Sequence, residues 1–318
     1  MDTLNEILSS PAISLELFLS TFVLFFLSIA LYFSVYILLK YKKDATSSQQ
    51  YELEKKSFLL SSIVKISLIV YIFLFGLFAF SIDDVSALIP GAMCGAGVVG
   101  SGEFGTSLVA LKFIAIILSM LWISIDIQDQ KGENFPYFQK KLYFFLFLYF
   151  LLFLTWLLEV NFFMSLSMEE PVLCCSNIYK ADTNSFLFGM DIVEVVVLFY
   201  ATYLSILIST YLQKRTLLFF LSIVFLYLAY ISIVYFFSTY IYELPTHKCP
   251  YCILSKEYYF IGYFIYASLI IATYYALYGV MFSLKTKTQK KIVIAYSVFI
   301  FLISLKYIYY YLINNTLL

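Results

Sequence analysis

The feature that most constrains the fold is a series of long apolar runs. A helix that crosses the hydrocarbon core of a membrane needs about 20 mostly apolar residues. Runs of that length lie at about 13–40, 57–81, 107–126, 142–163, 187–212, 217–240, 257–284 and 292–313. Continuous runs favour helices over a β-barrel, whose strands alternate in polarity. We therefore predict an all-α polytopic membrane protein with about eight transmembrane helices and a single integral-membrane domain over residues 1–318.

The composition agrees with a chain that lives in lipid. Hydrophobic residues make up 63% and charged residues 13%, and the mean hydropathy is +0.91. Soluble domains carry about a quarter charged residues. Membrane lipid is therefore the expected partner. The formal net charge is zero, so no nucleic acid is expected. The first twelve residues contain no base, so a secretory signal is not expected and the first run is predicted to remain as a membrane anchor.

Basic residues predict the orientation of these helices. The linkers after the first, third, fifth and seventh runs hold most of them: Lys40, Lys42, Lys43, Lys55, Lys56, Lys131, Lys140, Lys141, Lys214, Arg215, Lys285, Lys287, Lys290 and Lys291. The opposite linkers hold only Lys180, Lys248 and Lys256. The positive-inside rule then places both termini outside. The near absence of arginine favours a prokaryotic source, and hence the inner (cytoplasmic) membrane.

Every cysteine falls in a predicted outer linker. The five are Cys94, Cys174, Cys175, Cys249 and Cys252. Outer-face cysteines meet an oxidising compartment, where disulfides form and persist. An odd number leaves one thiol over in a fully paired monomer, which indicates a reactive group or an intermolecular bond.

The segment Cys249-Pro250-Tyr251-Cys252 has the spacing of a redox-active dithiol. Nearby cations stabilise a thiolate, and His247 and Lys248 directly precede the pair. We expect Cys252 near the outer end of the seventh helix, where the helix dipole also favours a thiolate. The alternative is a structural disulfide. His247 is the only histidine, and it is either a proton shuttle beside the sulfurs or a solvated loop residue.

A metal centre is the competing interpretation of the same residues. Zinc, copper(I) or an iron–sulfur cluster would accept thiolate and imidazole ligands. The candidate ligands are Cys94, Cys174, Cys175, His247, Cys249 and Cys252. No second CxxC completes a zinc ribbon. Ile253 follows Cys252, so the CxxCH attachment motif is absent and no haem c is expected.

A glycine-rich segment next to Cys94 matches a nucleotide-binding pattern only literally. Residues 95–100 read GAGVVG. The dinucleotide fingerprint requires a preceding strand within a βαβ unit, which a loop between spanning helices lacks. We instead expect tight backbone packing there, or a re-entrant turn that carries Cys94 toward the membrane surface.

Several ionisable residues fall inside the predicted spans. Those in the outer halves are Lys112, Glu159, Asp191, Glu194 and Lys306, and Lys65 lies in an inner half. One possibility is that they form a buried cluster that carries protons to a quinone. The other is that their side chains extend to the interface. We favour the second for Lys112, Glu159 and Asp191 taken singly and for Lys65.

Tyrosines spaced at helical intervals follow the CxxC segment. Tyr259, Tyr263 and Tyr266 lie at i, i+4 and i+7. Such a stripe suits a quinone ring, although in so tyrosine-rich a chain packing is the simpler explanation. We take Glu194, Tyr259 and Tyr263 as the candidate quinone-binding residues.

The CxxC at the outer end of a spanning helix, with further cysteines in another outer loop, resembles the membrane thiol oxidoreductases of the DsbB and vitamin K epoxide reductase type. The resemblance covers the motif and one helix. It implies that Cys249 and Cys252 pass electrons to a quinone held in a four-helix bundle. It also implies that the loop cysteines, here Cys174 and Cys175, exchange with a soluble extracytoplasmic thiol protein. Eight spans, adjacent loop cysteines and the additional Cys94 depart from that pattern.

The sequence is therefore compatible with three functions. The first is a membrane thiol–disulfide oxidoreductase acting on the outer face, with His247 as its acid–base group. The second is a metal-binding electron-transfer subunit. The third is a non-enzymatic anchor of a larger complex, in which disulfides brace the outer loops beside other membrane subunits.

Overall fold

The computed structural model describes residues 9–40, 48–102, 104–132, 135–166, 171–172 and 189–316, and in these ranges every long element is a helix. The helices are α1 (Pro11–Lys40), α2 (Ser48–Val85), α3 (Gly95–Ser101), α4 (Gly105–Lys131), α5 (Phe138–Ser165), α6 (Ile192–Tyr211), α7 (Arg215–Tyr242), α8 (Ile261–Met281) and α9 (Thr286–Asn314). Two short 3₁₀ turns, Cys252–Leu254 and Lys256–Tyr258, precede α8. Residues 233–237 of α7 form a π-helical turn.

Eight of these helices, all but α3, contain a stretch long and apolar enough to cross a membrane. The predicted all-α polytopic class is therefore confirmed. Most predicted ends agree within a few residues, but α6 and α8 begin later than expected. Helix α6 begins at Ile192 because the Asp191 carboxylate accepts a hydrogen bond from the Ile192 backbone N–H and caps the helix there. Helix α8 begins at Ile261 because Tyr259 and Phe260 take left-handed backbone angles, which end the preceding turns.

The chain divides into two compact units. The N-terminal unit comprises Met1–Leu88 and Ser101–Met168, and the C-terminal unit comprises Ile89–Gly100 and Glu169–Leu318. Each unit contains four of the spanning helices: α1, α2, α4 and α5 in the first, and α6 to α9 in the second. The segment of the linker between α2 and α4 that carries Cys94 belongs to the C-terminal unit.

The N-terminal unit buries both aromatic and charged side chains. The rings of Trp122 and Phe145 pack with their centroids 6.1 Å apart, as do those of Phe78 and Phe163. Its buried charged residues are Glu16, Lys112, Asp126, Asp129, Lys141 and Glu159. The outward surface is apolar, as at Phe73, which is 76% exposed. Such a surface is expected of helices that face lipid.

The C-terminal unit has a core of stacked rings and buried hydroxyl groups. Phe199 on α6 stacks on Phe225 of α7 with centroids 5.0 Å apart. Helices α6 and α9 are joined by hydroxyl pairs, between Tyr200 and Ser304 at 2.7 Å and between Tyr203 and Ser297 at 2.8 Å. Among the residues described in this unit, none of the buried side chains is charged. Hydroxyl groups and packing therefore hold these helices together.

A candidate site of three buried cysteines

The C-terminal unit brings three cysteines from two linkers into one cluster, here called the thiol cluster: Cys94, Cys249 and Cys252. Their Sγ atoms all lie within 4.8 Å of one another. The Sγ atoms of Cys94 and Cys249 are 3.5 Å apart. Exposed fractions are 3%, 0% and 8% in the same order, so the cluster is closed to bulk water. The two linkers, α2 to α4 and α7 to α8, emerge on one side of the membrane if every intervening helix crosses it.

The segment before Cys94 is held by close backbone contacts. Gly91 has φ +82°, and a Cβ atom there would lie 2.4 Å from the Val172 carbonyl oxygen. The Val172 N–H donates to the Pro90 carbonyl at 2.9 Å. A Cβ on Gly97 would lie 3.0 Å from the Ala92 Cα. The expected tight packing of the glycine-rich segment is seen at Gly97, and the left-handed φ of Gly91 just before Cys94 favours glycine there.

Two tyrosine hydroxyl groups hold the CxxC segment through hydrogen bonds to its backbone. The Tyr242 hydroxyl, at the end of α7, donates to the Cys249 carbonyl. The Tyr266 hydroxyl, in the second turn of α8, donates to the Pro250 carbonyl at 2.8 Å. Gly262, in the first turn of α8, packs closely against the residue that follows the motif: a Cβ atom there would lie 2.7 Å from the Ile253 carbonyl oxygen. These contacts place the two sulfurs on a rigid turn.

The CxxC segment lies near the first turn of α8, where Gly262 approaches Ile253, but Cys252 is not itself at the N-terminus of that helix. Cys252 begins a three-residue 3₁₀ turn, and α8 starts only at Ile261. A single short turn has little dipole, so the argument that the helix dipole stabilises a Cys252 thiolate does not apply. The Tyr251 backbone N–H instead points at the Cys249 Sγ, with a separation of 3.4 Å. A direct hydrogen bond to sulfur favours negative charge on Cys249.

The surroundings of the thiol cluster are apolar and aromatic. Burial raises the pKa of the Tyr251 phenol above its usual range, and Tyr230, Cys249 and Cys94 add to the effect in that order. The same low polarity favours states of the cluster in which sulfur charge is neutralised, namely protonated thiols, a disulfide or thiolates bound to a cation.

His247 packs beside the motif without joining the thiol cluster. Its ring stands edge-on to Tyr242, with centroids 4.4 Å apart. Its Nε2 atom is buried and has no hydrogen-bond partner among the described residues. The group of ligand atoms within 4.8 Å of one another contains the three sulfurs and not His247. His247 therefore packs against Tyr242, and it is not a fourth ligand in this geometry.

The candidate quinone residues do not come together. Tyr259 is 88% exposed, and Tyr263 is partly buried in the first turn of α8. Glu194 is exposed and its carboxylate accepts a hydrogen bond from the Asp191 N–H at 3.1 Å, completing a capping box. Asp191 and Glu194 thus form a helix cap rather than a buried ion cluster. The tyrosines whose hydroxyl groups contact the motif are Tyr242 and Tyr266.

Cys174 and Cys175 lie outside the described residues. Lys306 is half-buried, with its Nζ 5.8 Å from the centroid of the Tyr309 ring.

In the N-terminal unit, the expectation that Lys112 and Glu159 extend to the interface is wrong. Both are buried, and they form an ion pair of 2.9 Å. Lys65, also expected to extend to the interface, instead pairs with the buried Asp126 at 2.7 Å. Sequence reasoning missed Glu16, Asp126 and Asp129, all of them buried. Their signal was an acidic residue inside or at the edge of an apolar run.

Comparison of the chain with protein-family models, with curated proteins and with solved structures finds no match. The evidence for the function of this chain therefore lies in its own residues.

Proposed function

We propose that the protein is an integral-membrane thiol–disulfide oxidoreductase whose redox centre is the thiol cluster. The observation that carries the proposal is the approach of a third sulfur to a CxxC pair, with Cys94 Sγ 3.5 Å from Cys249 Sγ. A structural disulfide needs two cysteines, whereas exchange between disulfides needs a third thiol within reach.

The exchange step is a transfer of one sulfur–sulfur bond. With Cys249 and Cys252 joined, the Cys94 thiolate attacks the Cys249 Sγ. The bond between Cys94 and Cys249 forms, the bond between Cys249 and Cys252 breaks, and Cys252 leaves as a thiolate. We assign Cys249 as the electrophile because its Sγ lies 3.5 Å from the Cys94 Sγ. His247 would accept or return the thiol proton, directly or through a water molecule.

Reoxidation of the CxxC pair needs a two-electron acceptor, and we propose a membrane quinone. Two thiols then give one disulfide, while the quinone takes up two electrons and two protons to become a quinol. Tyr266 is a stronger candidate for this site than Glu194, Tyr259 and Tyr263, since its hydroxyl group contacts the motif from within α8. An aromatic side chain suits a quinone ring.

The burial of the thiol cluster implies an intermediate carrier. A folded protein substrate cannot reach a Cys249 sulfur that is 0% exposed. We assign this step to Cys174 and Cys175, which would exchange with a soluble extracytoplasmic thiol protein on one side and with Cys94 on the other. This scheme keeps the resemblance to the DsbB and vitamin K epoxide reductase type, with Cys94 as an added relay. The lysine distribution supports an outer-face centre in a prokaryotic inner membrane.

Thiol trapping in membranes tests this function. Membranes are incubated with a quinone or with dithiothreitol, quenched with acid, denatured and labelled with a maleimide that adds mass. We expect quinone to remove two accessible thiols from the wild type and dithiothreitol to restore them. Cys252→Ser should accumulate a bond between Cys94 and Cys249, identified by peptide mass, and Cys94→Ser should retain the CxxC bond. If Cys249 and Cys252 remain in one state under both treatments, the proposal fails.

A second candidate is a copper(I) site on the same sulfurs. Three sulfurs bound at about 2.3 Å to one ion lie about 4 Å from one another. The separations within the thiol cluster, at most 4.8 Å, suit that arrangement. Soft thiolates suit copper(I), and among the described residues the group supplies three sulfurs, one fewer than structural zinc and iron–sulfur centres use. A copper(I) titration against a competing chelator decides between the candidates. One ion bound tightly by the wild type and lost in Cys94→Ala supports the metal site. Absence of binding leaves the oxidoreductase, or a braced anchor if trapping also fails.

A further inference from the structure

The N-terminal unit contains a buried group of charges that does not balance. Glu16 on α1, Lys112 on α4 and Glu159 on α5 are 0%, 3% and 1% exposed. Lys112 Nζ lies 2.9 Å from a Glu159 oxygen and 3.4 Å from a Glu16 oxygen. We call this group the carboxylate pair with its lysine. Fully ionised, it would carry two negative charges against one positive charge.

Among the described residues, the remaining contacts of this group supply no second cation. The ionisable groups that face Lys112 are Glu159, Glu16 and, from α2, Tyr71. The Tyr71 hydroxyl pairs with Thr155 Oγ1 at 3.3 Å. The other neighbour on α2 is the ring of Phe78, whose centroid is 4.2 Å from Lys112 Nζ. An uncompensated charge in such a place is costly, so one more positive charge is needed.

The carboxylate oxygens that do not face Lys112 indicate where the additional positive charge would bind. Among the described residues, no N–H or O–H group donates to Glu16 Oε2 or to Glu159 Oε1, and both atoms are buried. The two carboxyl groups lie close together, because both contact the same Lys112 Nζ, at 3.4 and 2.9 Å. Two carboxylates in contact repel, whereas a carboxylic acid and a carboxylate share a proton. A proton therefore satisfies both the geometry and the charge.

The other buried ionic group of the same unit is a built-in comparison. Asp126 and Asp129 are bound by Lys65 and Lys141, at distances of 2.7, 2.8 and 3.2 Å. Two acids there meet two bases, so no additional charge is required. Of the two groups, only the one around Lys112 has an acid in excess.

The path from this group to the membrane surface is short. Counted from the nearer helix ends, Glu16, Lys112 and Glu159 lie about 8–11 Å along their helices, at 1.5 Å per residue. At that end, Ser81 Oγ donates to the Ala12 carbonyl at 3.1 Å, and Ser10 Oγ donates to the exposed Asp84 carboxylate at 3.3 Å. These hydroxyl groups and the exposed Asp84 carboxylate provide hydrogen-bonding groups between the buried glutamates and water.

We propose that Glu16 and Glu159 form a proton-binding site inside the membrane, which holds one shared proton and exchanges it with the side of the membrane where α1 begins. Lys112 keeps the second carboxyl ionised and so limits the site to one proton. The proposal rests on the N-terminal unit alone and is independent of the chemistry of the cysteines.

Labelling with dicyclohexylcarbodiimide tests the site, because this reagent modifies protonated carboxyl groups in apolar surroundings. The full-length protein in lipid nanodiscs is labelled between about pH 5 and pH 9 and mapped by peptide mass. We expect about one label per chain, on Glu16 or Glu159. Labelling should fall as the pH rises, by about tenfold per pH unit beyond the midpoint. Asp126 and Asp129 should remain unlabelled in the same sample.

Three variants distinguish a shared proton from two independent carboxyl groups. In Glu16→Gln, the remaining Glu159 is balanced by Lys112 and stays ionised, so labelling should be lost at both positions; Glu159→Gln should behave alike. In Lys112→Gln, both carboxyl groups take up a proton and the label should rise to about two per chain. A thermal melt of each variant establishes that it is folded. The proposal is overturned if wild-type protein takes no label at either residue, if each glutamine variant leaves the other glutamate labelled, or if sodium or potassium ions block labelling at constant pH, which would identify a metal cation as the ligand.

Discussion

The two units of the molecule bury polarity in different ways. In the N-terminal unit, six described charged side chains are buried in two groups: Glu16, Lys112 and Glu159, and Asp126, Asp129 and Lys141. In the described part of the C-terminal unit the buried polar side chains are hydroxyls, and the reactive groups are thiols. A buried ion pair holds helices together only while both partners are present. Hydroxyl pairs and rings tolerate changes of charge nearby, which suits the thiol exchange that we propose for this unit.

This contrast separates two kinds of chemistry along the chain. Proton binding in the membrane needs carboxyl groups with excess charge, and these are in the N-terminal unit. Electron exchange needs sulfurs that touch, and these are in the C-terminal unit. Four substitutions test the contrast, from the largest expected effect to the smallest.

Asp126→Asn should be the most destabilising change. Asp126 accepts hydrogen bonds or ion pairs from Lys65, Lys141 and Gln130, at 2.7, 3.2 and 2.9 Å. Removing one partner of a buried ion pair costs about 3–5 kcal/mol. Denaturant unfolding in detergent measures it. The matched control is Lys306→Gln in the C-terminal unit, where a half-buried lysine should change stability by less than about 0.5 kcal/mol. Equal losses in the two variants would remove the contrast between the units.

Gly262→Ala should damage the CxxC turn. The added Cβ would meet the Ile253 carbonyl oxygen at 2.7 Å, and backbone must move to admit it. Overpacking of this kind costs about 1–3 kcal/mol. It should also slow formation of the bond between Cys94 and Cys249 under mild oxidation. Gly76→Ala in α2 is the control, because a Cβ there meets nothing within 4 Å and should stabilise the helix by up to about 1 kcal/mol. Trapping that proceeds at the wild-type rate in Gly262→Ala would show that this glycine does not position the sulfurs.

Tyr266→Phe removes the hydrogen bond to the Pro250 carbonyl. We expect a loss of about 1 kcal/mol and faster alkylation of Cys249 under native conditions, because the turn is then less firmly held. Tyr259→Phe is the control: that side chain is 88% exposed, and the change should be within about 0.5 kcal/mol. The opposite ranking, with Tyr259→Phe the more damaging, would return the quinone hypothesis to the exposed stripe.

Glu194→Ala should have the smallest effect. It removes the carboxylate that accepts a hydrogen bond from the Asp191 N–H, at an exposed helix start. The expected loss is about 0.5 kcal/mol, and Glu194→Gln should restore most of it because glutamine also completes a capping box. Thermal unfolding measures both variants. A loss of quinone-dependent thiol oxidation in Glu194→Gln, with stability unchanged, would instead assign this residue to a quinone site.

The sequence predicted local features well and partnerships poorly. The long apolar runs predicted each spanning helix, since hydrophobicity and length are properties of a single stretch. The same reasoning was wrong for Lys112, which pairs with Glu159 instead of reaching the interface. It was also wrong to expect a helix dipole at Cys252, because the two 3₁₀ turns and the left-handed residues Tyr259 and Phe260 delay the start of α8. Neither error could be corrected from spacing, because each depends on what a neighbouring element offers.

The sequence by itself determined that the chain is an all-α membrane protein with eight spanning helices and a CxxC beside the only histidine. Only the tertiary structure decided that Cys94, 155 residues away along the chain, lies against Cys249. It also decided that Glu16 and Glu159 share one lysine. The physical reason is that an apolar helix carries little information about its own rotation: with lipid on one side and protein on the other, its buried face is chosen by its neighbours.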